Sequence, residues 1–166
     1  MKVLIAEDDP FFRRLLQQVL ASECEVVTAE DGTVAWAMLQ QIDMPILAVL
    51  DWVMPGMAGP QLCREARANP ATAGAYLILL TAKNSSADIL AGLRAGADDY
   101  VTKPFEPEEL RARVRLGRRI VELRQALSTQ EIALADALGR ERMLQIRLTA
   151  LERGGGQRKL AKSVSA

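Results

Sequence analysis

Short apolar runs alternate with amphipathic stretches over the first 106 residues. "KVLIA", "EVVTA", "ILAVL", "YLILLT" and "DYV" read as strands. Between them, "DPFFRRLLQQVLAS", "GTVAWAMLQQ", "GPQLCREARA" and "SSADILAGLRAGA" carry apolar residues at helical spacing. The punctuation agrees with this reading. Asp9 stands where it can cap the first helix, with Pro10 at its first turn. Ser85 and Asp88 fit a capping box, and Pro107 opens a fifth helix. Five strands alternating with five helices predict a doubly wound α/β domain around a parallel sheet. The unbroken apolar character of "ILAVL" suits a strand covered on both faces.

After Pro107 the pattern changes period. A seven-residue frame places Leu116, Ile120, Leu123, Leu127, Gln130, Leu134, Ala137, Glu141, Leu144, Leu148 and Leu151 on one seam, nine of the eleven apolar. Sustained over five heptads, that seam predicts a coiled coil. Fully helical, residues 107–153 would span about 70 Å, and their apolar stripe would need a partner, most cheaply a second copy. Gln130 and Glu141 on the seam lower stability but fix register. In a parallel pair, Arg119 facing Arg124 is unfavourable and Arg147 facing Glu152 favourable. The glycines of "GGGQRKLAKSVSA" are expected to end the helix, leaving 154–166 as a flexible basic tail.

Composition narrows the function classes. Histidine is absent, which removes Ser-His-Asp triads, Cys-His dyads and histidine-containing metal sites. Cys24 and Cys63 lack CxxC spacing and are expected to be free thiols. No apolar run reaches the ~20 residues of a membrane span, and "MKVLIAEDDP" is too short a core for a signal peptide, so a cytoplasmic location is expected. The net charge of zero hides an asymmetry. Residues 1–106 hold 8 Lys and Arg against 14 Asp and Glu, and residues 107–166 hold 13 against 7. The basic half interleaves its arginines with leucines and acids, without aromatic residues, so direct nucleic-acid binding is not expected.

In a doubly wound sheet, chemistry lies beyond the carboxyl ends of the strands. Glu7 and Asp8 follow the first strand, Asp51 the third, Thr81 the fourth and Lys103 the fifth. Converging carboxylates repel one another unless a cation is present, and a hard divalent ion such as Mg²⁺ relieves this. A lysine and a hydroxyl on the adjacent strands would flank the same acidic pocket. Mg²⁺, ammonium and hydroxyl together match the oxygens of a transferring phosphoryl group, and such chemistry needs no histidine base. Asp51 is then the candidate nucleophile.

The segment 1–120 resembles the receiver domain of bacterial two-component response regulators, through "VLIAEDDP", "LDWVMPGMAG", "LTA" and "DDYVTKPF" in that order. The resemblance implies a flavodoxin-like sheet of order 2-1-3-4-5, with Asp51 as phosphoacceptor. It implies Mg²⁺ held by Glu7, Asp8, Asp51 and the Val53 carbonyl, and a phosphoryl group contacted by Thr81 and Lys103. Tyr100 would be the aromatic switch that follows Thr81, and the Lys103–Pro104 bond would be cis. Two departures stand out: Ala58 replaces a common acid, so a contact at the helix start is missing, and "MPIL" replaces the more usual Pro-Asp.

Residues 107–153 look like the linker helices that precede diguanylate cyclase domains, although the chain holds no GGDEF-like motif. The expected function is a phosphoryl-accepting response regulator, with no enzymatic activity beyond its own phosphorylation and slow dephosphorylation. Its expected partners are a histidine kinase or phosphotransfer protein, a second copy through the coil, and a downstream protein. The alternatives are a constitutive dimeric scaffold, or the receiver and linker of a larger regulator such as a diguanylate cyclase.

Overall fold

The computed structural model describes residues 2–41, 46–82 and 85–163, with side chains to residue 149. Met44 and Pro45, which carry one of the two departures, lie outside the described residues. Five strands, β1 (Lys2–Ala6), β2 (Glu25–Ala29), β3 (Leu47–Asp51), β4 (Tyr76–Thr81) and β5 (Asp99–Thr102), form one sheet in the order β2-β1-β3-β4-β5. Every pairing is parallel. The helices are α1 (Pro10–Leu20), α2 (Gly32–Gln41), α3 (Gly59–Ala68), α4 (Ser86–Arg94) and α5 (Pro107–Ser163). The expected doubly wound architecture and strand order are both present.

Alternation along the strands sorts the core into two layers. Val3, Ile5, Leu47, Val49, Ile78 and Leu80 face one side, where Leu16 and Leu20 of α1 and Leu110, Val114 and Val121 of α5 cover them. Leu4, Leu50, Leu77 and Leu79 face the other side, under Leu39 of α2 and Leu62, Cys63 and Ala66 of α3. All residues of β3 and β4 are buried, as both faces of a central parallel strand require.

Caps form where the sequence places them. Asp9 accepts from the N–H groups of Phe11 and Phe12 at 2.7 and 3.3 Å. The Ser85 hydroxyl accepts from the Asp88 N–H at 3.2 Å and pairs with its carboxylate at 2.6 Å. Ala58 occupies the N-cap of α3 without a side-chain bond, which is the missing contact its identity implies. Both cysteines are free. Burial pushes the Cys63 thiol up to about 12.

The chain divides into two units, Met1–Gln125 and Ala126–Ala166. Within the first, α5 approaches the sheet through Leu110, Val114, Gly117 and Val121. Gly117 permits the approach, because a Cβ there would stand 2.5 Å from the Tyr76 ring and 2.7 Å from Leu47. Ile120, on the heptad seam, is half-buried against the same layer, whereas Leu116 and Leu123 are exposed. Helix α5 runs to Ser163, past Gly154–Gly156, where the sequence pattern puts its end. Glycine costs a helix interior about 1 kcal/mol relative to alanine but does not forbid helical angles.

At the amino-terminal edge of the sheet, a second ionic group ties loops together. Arg67 donates to the carbonyls of Gly96, Ala73 and Ala75 and pairs with Asp98 at 2.5 Å. Asp98 also accepts from the Leu77 N–H at 2.9 Å.

Candidate phosphoryl-acceptor site

Asp51 is the last residue of β3, and its strand position faces the α1 and α5 layer, as do Leu47 and Val49. Glu7 and Asp8 follow β1, which is the hydrogen-bonded neighbour of β3. Parallel pairing therefore delivers the acids to one edge, and one carboxylate oxygen from each of Glu7, Asp8 and Asp51 lies within 4.8 Å of the others. Glu7 and Asp51 are buried and Asp8 is exposed.

Lys103, just after β5, reaches across this edge. Its ammonium stands 2.7 Å from Glu7 Oε2 and 2.7 Å from Asp51 Oδ1. Two carboxylates thus share one ammonium, with a third acid beside them, and negative charge remains in excess. Burial pushes the Glu7 carboxyl up. The Lys103 hydrogen bond opposes that shift, Asp51 adds to it, and the net direction is upward. Burial pulls the Lys103 ammonium down, but its bonds to Asp51 and Glu7 outweigh this and hold it above the usual lysine value.

The other oxygen of Asp51, Oδ2, accepts from the Val53 N–H at 3.2 Å, so the loop after β3 turns back on the carboxylate. The Trp52 N–H donates to Leu80 O at 2.8 Å and the Gly59 N–H to Trp52 O at 3.1 Å. A Cβ at Gly59 would lie 2.3 Å from the Asp51 carbonyl oxygen. Thr81 is buried, and it follows Leu80, the register partner of Asp51. The Lys103 N–H donates to Thr81 O at 2.7 Å, and Lys103–Pro104 is cis. Tyr100 is half-buried against the α2 and α3 layer, the face to which the alternation of β4 also assigns Thr81.

Two residues at this edge escaped the sequence reading. The Arg13 guanidinium donates to the carbonyls of Glu7 and Asp8 at 2.6 and 3.1 Å, bracing the loop that holds both acids. The Phe12 ring lies under the Lys103 ammonium, 4.7 Å from nitrogen to centroid. Their positions one turn into α1 were the available signal, since a capped helix aims its first turn at the strand end. Val53 follows β3 at this end of the sheet, and Tyr100 is the second residue of β5.

The set is made wholly of oxygen donors, which suits a hard divalent cation, and a 2+ charge would offset the surplus left by Lys103. Glu7, Asp8 and Asp51 are the carboxylates able to hold it.

The family model described as the response regulator receiver domain matches residues 3–115. The DNA-binding response regulator MtrA of Mycolicibacterium smegmatis is 40% identical over 119 residues, covering 71% of this chain and 50% of that protein. The chain spans about half the length of the curated relatives it matches. The receiver domain of sensor histidine kinase PA1611 from Pseudomonas aeruginosa, with magnesium coordinated in its active site cleft, superposes with a TM-score of 0.64 at 28% identity. That comparison covers 73% of this chain and 97% of that one. A probable two-component response regulator/GGDEF domain protein superposes with a TM-score of 0.68 at 28% identity, over 74% of this chain and 50% of that one. With its sheet order, its acidic edge and a family match across most of its length, the chain belongs to the response regulator receiver family.

Proposed function

We propose that Asp51 accepts a phosphoryl group from the phosphohistidine of a histidine kinase or phosphotransfer protein. The observation that carries this reading is the shared ammonium: Lys103 bridges Asp51 and Glu7 at 2.7 Å while leaving the edge short of positive charge. An Asp51 carboxylate oxygen forms the new bond to phosphorus as the P–N bond breaks. The leaving imidazole keeps the electron pair and takes up a proton from solvent. Mg²⁺, when held by Glu7, Asp8, Asp51 and the Val53 carbonyl, supplies charge neutralisation.

Lys103 already touches Asp51 and stays with the phosphoryl oxygens after transfer, releasing its claim on Glu7. The Thr81 hydroxyl can donate to another phosphoryl oxygen, and Tyr100, on the same face, follows it. The activity is stoichiometric: the protein is its own phosphoryl acceptor and loses the group slowly by hydrolysis.

The signal leaves through α5, whose seam pairs two copies. The exposure of Leu127, Leu134, Leu144 and Leu148 supports this. The likeness to a GGDEF-containing regulator supports the further reading that these residues are the receiver and linker of a larger regulator. No helix among the described residues is long and apolar enough to cross a membrane, which accords with action in the cytoplasm.

The test combines Mg²⁺ with beryllofluoride or a small phosphodonor. A Trp36→Phe background leaves Trp52 as the reporter. The expected result is a Trp52 fluorescence change with beryllofluoride and a phosphoryl mass increment with the donor, both absent in Asp51→Asn. Unchanged mass and fluorescence in the parent protein would sink the assignment.

A further inference from the structure

The helix of the second unit carries two apolar stripes. One is the heptad seam, with Leu127, Leu134, Leu144 and Leu148 each about 60% exposed. The other runs through Ile132, Ala135, Gly139, Met143 and Ile146, in steps of three, four, four and three residues. Ile132, Met143 and Ile146 are 63%, 62% and 56% exposed. At 100° per residue the two stripes point about 180° apart. Any one partner on the seam leaves the second stripe in water.

The charges beside the second stripe say what covers it. One flank holds Glu131 and Arg142, and the other holds Asp136 and Arg147. In a parallel pair of copies, each flank meets the opposite flank five residues on. Glu131 would then face Asp136, and Arg142 would face Arg147, both like-charged. Reversing one copy sets each flank against itself, so that Glu131 meets Arg142 and Asp136 meets Arg147. The apolar residues obey the same symmetry: Ile132 and Ile146 lie seven residues either side of Gly139, and Ala135 and Met143 lie four. Gly139 would sit on the two-fold axis. A Cβ there meets nothing within 4 Å in the single chain, so the chain itself gives no packing reason for a glycine in mid-helix.

We propose that the second stripe is an antiparallel self-association surface, centred on Gly139, that joins copies already paired through the seam into an assembly larger than a dimer. The proposal rests on the seam pairing in the preceding reading, and the experiment separates the two. Sedimentation of the full chain is expected to give at least four times the 18.2 kDa chain mass. Ile132→Lys/Ile146→Lys should reduce this to a dimer, and Leu127→Lys/Leu134→Lys should leave a dimer held by the second stripe. Circular dichroism checks that both variants stay helical.

A parental dimer indifferent to Ile132→Lys/Ile146→Lys overturns this inference and leaves the seam standing. A parental dimer lost on Ile132→Lys/Ile146→Lys but not on Leu127→Lys/Leu134→Lys keeps the second stripe and removes the seam. A monomer removes both. Orientation is read from Arg142→Glu. It weakens the antiparallel arrangement severalfold, because the introduced carboxylate meets Glu131 of the other copy, and it would strengthen a parallel one by facing Arg147. Tighter association of Arg142→Glu overturns the antiparallel assignment.

Discussion

The two ends of the receiver sheet each hold a partly buried ionic group, and they differ in how completely the charge is matched. At the amino-terminal edge, Arg67 satisfies three backbone carbonyls and Asp98, and Asp98 accepts from the Leu77 N–H of β4 and also pairs with Arg124 at 3.5 Å. Nothing there invites a ligand. At the carboxyl edge, one ammonium serves two buried carboxylates with a third alongside. The first group is a fastener, and the second keeps the surplus charge on which the phosphoryl-acceptor proposal rests. Net imbalance, more than the presence of buried charge, separates chemistry from structure here.

The sharpest way to break that contrast is to remove one charged group at each end. Asp51→Asn should abolish phosphoryl uptake entirely, read as intact mass after treatment with a phosphodonor. Its urea midpoint should stay at or above that of the parent, because a repelling carboxylate has been removed. Arg67→Ala should do the reverse. It takes the closer of two arginines from Asp98, leaves three carbonyls without their donor, and lowers stability by on the order of 3 kcal/mol in urea unfolding. Phosphoryl uptake measured well below the midpoint should persist. An Arg67→Ala protein as stable as the parent would erase the distinction.

A third expectation is that Mg²⁺ acts at one end only. Saturation at a hundredfold excess over Kd raises stability by about 2.7 kcal/mol. The gain should survive Asp98→Asn and shrink severely in Asp51→Asn. Thermal shifts of these variants with and without Mg²⁺ decide this.

The smallest effect is in pH. Glu7 has its folded pKa raised, so the native state holds its proton to higher pH than the unfolded chain does. That contribution is full below the unfolded value of about 4.3 and is lost as pH rises through the folded one. Glu7→Gln should flatten this part of the stability–pH curve. Cys63, pushed up to about 12, gives the same sign at alkaline pH. Stability should fall above about 8.5, where the unfolded thiol ionises, and native Cys63 should resist alkylation at about pH 8.

The carboxyl edge is far more legible in the sequence than the fastened end, for a physical reason. Each site residue stands where an apolar run stops, so counting strands places Glu7, Asp8, Asp51, Thr81 and Lys103 on one edge once the sheet is parallel. Arg67 and Asp98 are 31 residues apart and meet through loops whose paths follow no period. Phe12 and Arg13 were hidden differently, since both read as ordinary members of an amphipathic helix. Their roles depend on how α1 is aimed by its Asp9 cap. The heptad seam was legible, yet Ile120 belongs to the receiver core as much as to the seam. A single-period reading also passed over the second stripe through Ile132 and Ile146.

Gly59 has a consequence for anyone who would transplant or redesign this site. With no room for a side chain against the Asp51 carbonyl and its N–H bonded to Trp52 O, the start of α3 is clamped to the end of β3. The span from Asp51 to Gly59 therefore behaves as a closed ring, its length set at both ends. Insertions or deletions there should be among the least tolerated in the receiver, and backbone amides across the span should exchange with deuterium as one cooperative block. A graft of the acid alone would leave that ring behind.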